Sequence, residues 1–200
     1  MEKNRRFVKT IAICAMMFAL TIIMTYTFLG TIPMPGAAAS IAFLPAIITS
    51  IAFGPAGIIV AVFAGLLSLV RALMAPIGIL GPYFQNPLIS VLPRAMIGVT
   101  TYFSYRLLSK TGLHDTIRIG ISAAIGSITN TTLVLGTLYV LYAADMLAAI
   151  LASETIMAET AAAFLLGIVT TNAIGEVAVN TILAIIIISA MKKAGIMKRM

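Results

Sequence analysis

Long apolar runs follow one another along this sequence, and glycine, proline or charged residues separate them. Because a membrane-spanning helix needs about 20 mostly apolar residues, most of these runs are long enough to cross a bilayer. The pattern predicts an all-α membrane protein with six transmembrane helices, at about residues 7–29, 38–53, 56–74, 88–108, 116–142 and 160–191. We therefore expect a single integral membrane domain over residues 1–200.

Turn-forming residues lie between the predicted helices. The segment 31–36 is predicted to be the first external loop, because its two prolines cannot continue a helix. Pro45 is predicted to kink the second helix, and residues 54–57 form a tight cytoplasmic turn. An external segment at about 143–159 is predicted to include a short amphipathic helix.

The composition excludes an ordinary soluble protein, since 61% of the residues are hydrophobic and only 10% are charged, against about 25% charged in soluble domains. The net charge of +7 comes from Lys and Arg in three groups, at residues 3–9, 106–118 and 192–199. Six helices would place all three groups on one side, and cytoplasmic loops are the ones enriched in Lys and Arg. The charge pattern therefore predicts cytoplasmic termini and no nucleic-acid partner.

One arginine is predicted to lie inside the membrane. The segment 75–87 is rich in glycine and proline and reads as an irregular loop, which leads into the fourth helix. Arg94 then lies about 10 Å below the outer end of that helix, at 1.5 Å per residue. A cation at this depth costs several kcal/mol unless it finds a partner or water. Arg94 is therefore predicted to bind a ligand or to form a structural ion pair with Glu176.

Polar residues on the sixth helix form a stripe, since Asn172, Glu176 and Asn180 are four residues apart and share one face. Such residues face a cavity or hold helices together. We predict a polar cavity in the outer half of the bundle, suited to a small amphiphilic anion. Arg71, at the end of the third helix, is expected to snorkel to the external interface or to reach the same ligand. The predicted substrate-binding residues are Arg71, Tyr83, Phe84, Gln85, Asn86, Arg94, Asn130, Asn172 and Glu176.

Several kinds of active site are missing from the sequence. No phosphate-binding G-x-x-x-x-G-K-[ST] motif occurs, so this chain is not expected to hydrolyse ATP. A single histidine, His114, excludes an H-E-x-x-H zinc site, and a single cysteine, Cys14, excludes a disulfide or thiolate metal centre. We predict no catalytic residues, metal or cofactor in this chain. A binding subunit is favoured over an enzyme that uses Glu176 and Asn172 on a lipid-linked anion, and over a passive structural subunit.

The whole chain resembles an S component, the membrane-embedded substrate-binding subunit of energy-coupling factor vitamin transporters. The resemblance depends on the six-helix plan, on the small residues Ala12, Ala15 and Ala19, and on the segment FGPAGIIVAVFAGLLSLV. The segments APIGILGPYFQNPLISVLPRAMIGV and GSITNTTLVLGTLYV are most similar to the pantothenate-specific branch.

This resemblance implies a multi-pass protein of the bacterial cytoplasmic membrane that binds a water-soluble vitamin at its external side. Pantothenate is the expected vitamin, and folate, riboflavin or pyridoxine are the alternatives. A transmembrane coupling protein and two cytoplasmic ATPase subunits, which hydrolyse the ATP, would be its partners. Ala12, Ala15 and Ala19 would contact the coupling protein, whereas their composition alone favours packing within the bundle.

Overall fold

The computed structural model describes residues 2–27, 30–34, 37–76, 80–151, 161–168 and 173–196. Its described elements are α1 (Glu2–Tyr26), β1 (Thr31–Met34), β2 (Ala37–Ser40), α2 (Leu44–Phe53), α3 (Ala56–Met74), a 3₁₀ helix (Gly81–Gln85), α4 (Pro87–Ser90), α5 (Leu92–Leu108), α6 (Asp115–Leu151), α7 (Ala161–Ile168) and α8 (Ile174–Lys193). The predicted mainly helical fold is therefore confirmed, with one short hairpin added.

Three helices in the described ranges are long and apolar enough to cross a membrane: Ala56–Met74, Asp115–Asp145 and Ile174–Lys193. Two further apolar segments, Thr10–Tyr26 and Leu44–Phe53, are shorter. The third predicted helix has the bounds that the sequence suggested. The first begins earlier and ends earlier than the predicted 7–29, as α1 (Glu2–Tyr26).

The hairpin corrects the prediction for the region after α1. The segment predicted as a loop contains β1, which pairs antiparallel with β2, so that Thr31 faces Ser40 and Met34 faces Ala37. A proline inside a helix removes a hydrogen bond to the preceding turn and its ring clashes with that turn, whereas a strand at the edge of a sheet accommodates Pro33. As a result α2 begins only at Leu44, and Pro45 lies in its first turn instead of kinking it, where a missing N–H costs nothing.

The remaining predicted helices are divided. The fourth consists of α4 and α5, which meet at Val91, and Pro93 lies in the first turn of α5. The fifth continues to Leu151, but Tyr142, its predicted end, has non-helical backbone angles (φ −135°, ψ 18°). The sixth is present as α7 and α8, separated by a segment outside the described residues.

Close helix contacts fix α5 in the centre of the bundle. A Cβ on Gly98 would lie 2.7 Å from the Cβ of Ala61, so only glycine allows α3 and α5 to approach this closely. A Cβ on Gly65 would lie 2.9 Å from the Cα of Val91 and 3.3 Å from the Cβ of Arg94. These glycines set the position from which Arg94 enters the bundle.

Candidate functional site

The break between α4 and α5 explains where the Arg94 side chain goes. Pro93 has no N–H and cannot donate to the carbonyl of Ile89, four residues earlier. The Arg94 guanidinium takes that acceptor, and its Nη1 donates to the Ile89 oxygen at 2.7 Å. The guanidinium also lies 5.2 Å from the centroid of the Phe84 ring, within cation–π range. A proline and an aromatic ring thus hold a half-buried cation in place.

Arg94 has no direct ion pair with any described residue. The ion pairs in the described ranges join Asp115 to Arg118 and to Lys192, at the far end of α6. Glu176, the alternative structural partner predicted for Arg94, lines the same cavity but forms no ion pair with it. The guanidinium therefore keeps donors that a ligand can use.

Glu176 is held by a polar cluster at the start of α8 and is only 6% exposed. Asn130 on α6 donates through Nδ2 to the Glu176 carboxylate at 3.4 Å, and the Ser40 backbone amide also hydrogen-bonds that carboxylate. Asn180 donates to the Ser40 carbonyl at 3.2 Å and to the Glu176 carbonyl at 2.9 Å. This cluster joins α6, α8 and β2.

Two cavities flank Arg94. The larger, which we call the central cavity, has a volume of about 200 Å³ and is lined by Ser40, Leu80, Phe84, Arg94, Asn130, Thr131, Val134, Leu135, Leu138, Ala173 and Glu176. The smaller, which we call the Arg71 cavity, has about 130 Å³ and is lined by Thr25, Ser40, Ala42, Phe43, Ala64, Ser68, Arg71 and Arg94. Arg94 and Ser40 line both cavities, so the guanidinium lies between them.

The central cavity has a polar and an apolar side. Arg94, Asn130 and Glu176 supply a cation, an amide and a carboxylate, whereas Val134 and Leu138 on α6 belong to an apolar cluster with Ile89. The Oδ1 atom of Asn130 is buried and has no partner among the described residues. A buried acceptor without a partner costs about 1–3 kcal/mol, so a bound hydroxyl or amide N–H would be stabilised here.

Only one of the four predicted binding residues in the segment 83–86 lines the central cavity, and that residue is Phe84. The Tyr83 ring packs on the Tyr142 ring with 4.9 Å between centroids. Asn86 caps α4, because its Oδ1 accepts from the Leu88 N–H at 3.0 Å while its Nδ2 donates to the Tyr142 hydroxyl at 3.0 Å. These contacts fix the segment that carries Phe84.

Gln85 and Arg71 do not line the central cavity. Gln85 is exposed, and its Nε2 donates to the Ala72 carbonyl at 3.4 Å. Asn172 lies outside the described residues. Arg71 lines the Arg71 cavity together with Arg94, which places it toward the interior and not only at the interface where snorkelling was expected.

Sequence reasoning missed several residues that line the two cavities. Ser40 was assigned to a helix and lies in β2, and Ser68 was not considered. A signal for Ser68 existed, because Ala64, Ser68 and Arg71 have the i, i+4, i+7 spacing of one helix face. The cavity-lining residues of α6 show similar spacing, since Asn130, Val134 and Leu138 are four residues apart.

The phenol of Tyr83 stays neutral at physiological pH. Burial raises the pKa of Tyr83 above its usual value, and the nearby Asp145 and Tyr142 raise it further. A neutral phenol packed on Tyr142 adds no charge beside the central cavity.

A sequence profile described as "ECF transporter, substrate-specific component" matches residues 9–188. The chain belongs to this family. One relative of this S component is the pantothenic acid transporter PanT of Lactococcus lactis subsp. cremoris (strain MG1363), which is 29% identical over 166 residues that cover 76% of each chain.

Membership in the S-component family confirms the predicted resemblance. The family and the relative are transporter components, so the alternative of a membrane enzyme acting through Glu176 and Asn172 is set aside. The three apolar helices of spanning length agree with the membrane-embedded nature of the family.

The S component exposes Ala12, Ala15 and Ala19 on α1. Composition alone favoured packing within the bundle, but none of the three alanines packs there. Exposed apolar neighbours, Ile11 and Met16 among them, extend this face.

Proposed function

We propose that this S component binds pantothenate in the central cavity and delivers it to the cytoplasm. The observation that carries the proposal is the position of Arg94, which lies between two cavities and has no ion pair with the residues that the structure describes. The relative that is a pantothenic acid transporter supports this choice of vitamin. The central cavity, at about 200 Å³, is smaller than the roughly 300–1,000 Å³ of pockets for drug-sized ligands, which favours a small vitamin.

The groups of pantothenate match those of the central cavity. Its carboxylate would accept hydrogen bonds from Arg94, since guanidinium–carboxylate pairs are the strong, geometrically specific ones. A hydroxyl would donate to the Glu176 carboxylate, and the free Oδ1 of Asn130 would accept from a second hydroxyl or from the amide N–H. The two methyl groups would pack against Val134 and Leu138.

We further propose six transmembrane helices with both termini in the cytoplasm, in a bacterial cytoplasmic membrane. The three basic groups of the sequence support this orientation. The central cavity then opens toward the external side. A transmembrane coupling protein would dock on the exposed α1 face around Ala12, Ala15 and Ala19, and two ATPase subunits would supply the energy.

Calorimetry on the purified protein in detergent tests the substrate. We expect saturable binding of pantothenate and none of riboflavin, folate or pyridoxine. The alcohol analogue, in which a hydroxymethyl group replaces the carboxylate, should bind much more weakly because it cannot use the charge of Arg94. Saturable binding of another vitamin, without pantothenate binding, would disprove the proposed substrate.

Uptake by cells tests the docking face. Ala15→Trp places a large ring on the face that would meet the coupling protein, so we expect uptake of labelled pantothenate to fall to background. Pantothenate binding by the purified variant should stay unchanged, because Ala15 is exposed and distant in sequence from the cavity residues. Ile59→Trp, at an exposed position of α3, serves as the control, and normal uptake by Ala15→Trp would exclude docking at this position.

A further inference from the structure

A second charged pocket lies at the opposite ends of α6 and α8 from the central cavity. This interfacial pocket has a volume of about 520 Å³ and is lined by His114, Asp115, Thr116, Arg118, Ser189, Lys192 and Lys193. It lies where α6 begins and where α8 ends, and both helices belong to the candidate membrane spans. The pocket therefore lies at the boundary between the bilayer and water.

The cations of the interfacial pocket outnumber its carboxylates. Asp115 is the one acidic residue among its described lining residues, and that carboxylate forms ion pairs with Arg118 at 2.9 Å and with Lys192. Tyr105 also donates to Asp115, at 3.1 Å. Lys193 is exposed and has no ion pair among the described residues, and the Nε of Arg118 is buried without a partner there. An anion entering the pocket would meet unsatisfied donors.

Exposed apolar side chains continue from the interfacial pocket along both helices. Ile182 and Ile186 share the face of α8 that carries Ser189 and Lys193, because these positions have helical spacing, and both isoleucines are more than half exposed. Ile117, 49% exposed, lies within one turn of His114 and Arg118. A headgroup in the pocket could therefore keep its acyl chains on apolar protein surface.

We propose that the interfacial pocket binds the phosphate of an anionic phospholipid headgroup. Basic pockets between membrane helices on the cytoplasmic side bind such headgroups, and the adjoining apolar face favours a lipid over free phosphate. The choice of leaflet depends on the orientation proposed above. Lipid binding here is separate from vitamin binding, so either proposal can fail without the other.

Lipid titration of the purified protein tests the proposal. The dissociation constants for phosphatidylglycerol and phosphatidylcholine are measured in neutral detergent by native mass spectrometry. We expect the anionic lipid to bind more tightly, and Lys193→Gln to weaken its binding about fivefold, the factor that corresponds to about 1 kcal/mol for one basic residue near an anionic surface. Lys110→Gln, which removes an exposed cation outside the pocket, should have a much smaller effect.

Ser189→Leu distinguishes lipid binding in the pocket from a general electrostatic attraction to the basic surface. The larger, apolar side chain would occupy part of the pocket without changing the net charge, and it should weaken phosphatidylglycerol binding while pantothenate binding is retained. Equal losses in Lys193→Gln and Lys110→Gln, or equal affinities for the two lipids, would overturn the proposal. Displacement of the lipid by an equal concentration of inorganic phosphate would overturn the assignment to a lipid.

Discussion

The central cavity and the interfacial pocket are both lined by arginine or lysine, but the partners of these cations differ. In the interfacial pocket, Asp115 pairs with Arg118 at 2.9 Å and with Lys192. In the central cavity, Arg94 donates to a backbone carbonyl and lies over the Phe84 ring, while Glu176, which lines the same cavity, accepts a hydrogen bond from Asn130. The first arrangement joins helices, whereas the second keeps a cation ready for an anion.

The difference shows how a buried charge can be tolerated without being neutralised. A paired cation such as Lys192 offsets its desolvation through the pair, so in the interfacial pocket the exposed Lys193 is the cation that a lipid phosphate would meet. A neutral carbonyl and an aromatic face offset only part of the desolvation cost of the Arg94 guanidinium. In the proposed binding mode, the carboxylate of the substrate would offset the remainder, and this would favour anions over neutral ligands.

Replacing Arg94 should have the largest effect, and the property that changes is the affinity for pantothenate. Arg94→Ala removes charge-assisted hydrogen bonds worth about 1.5–3 kcal/mol, so we expect pantothenate affinity to fall by about 10- to 150-fold. The affinity for the alcohol analogue should change far less, because it never used the charge. Calorimetry with both ligands measures the two losses.

Arg106→Ala is the matched control for Arg94→Ala. Arg106 lies on the same helix, is exposed, and donates to the Tyr102 hydroxyl at 3.0 Å. Its removal should leave both affinities unchanged. Equal losses for pantothenate and its alcohol analogue in Arg94→Ala would mean that the arginine supports the shape of the cavity and not the charge of the ligand.

Asp115→Asn should have the next largest effect. This substitution should lower the stability of the fold and leave ligand binding unchanged. The change leaves Lys192 and Arg118 without their carboxylate in a half-buried pocket. Exposed pairs contribute up to about 1 kcal/mol and buried ones about 3–5 kcal/mol when one partner is removed. We therefore expect a loss of about 1–2 kcal/mol, or roughly 2–8 °C in melting temperature.

Thermal unfolding of Asp115→Asn, Lys192→Met and the double variant measures this coupling. If the ion pair joins α6 to α8, the double variant should lose less than the two single losses added together. Additive losses would contradict the pairing. Unchanged pantothenate affinity in all three variants is expected, since the interfacial pocket shares no lining residue with the central cavity.

The sequence predicts that Arg94 lies among the helices, and the structure shows it half-buried between two cavities, while its depth in the bilayer stays a prediction. It also predicts α3, whose ends are marked by Gly54-Pro55 and by the glycine-rich segment after Met74. The hairpin could not be predicted, because Ala37-Ala38-Ala39 favours a helix locally and pairs with β1 only in the folded chain. Ser40 was missed for the same reason.

Asn86 carries a local signal for a helix cap in addition to its predicted role as a ligand contact. An asparagine directly before a proline is typical of an N-cap followed by the first helical residue, and the structure shows that cap. The contact of Asn86 with a ligand stays a prediction. Tertiary partners such as the Tyr142 hydroxyl, 56 residues away, cannot be read from local pattern.

Glu176→Gln should have the smallest of the three effects, and its sign distinguishes two roles of the carboxylate. If Glu176 accepts a hydrogen bond from a pantothenate hydroxyl, the neutral amide is a weaker acceptor, and affinity should fall by about 1 kcal/mol, or roughly fivefold. If Glu176 mainly offsets the charge of Arg94, its removal should strengthen the binding of an anion. Calorimetry with pantothenate and with the alcohol analogue separates the two roles. We expect both ligands to lose affinity equally, because both carry the hydroxyl, and tighter binding of pantothenate alone would contradict the hydrogen bond to Glu176.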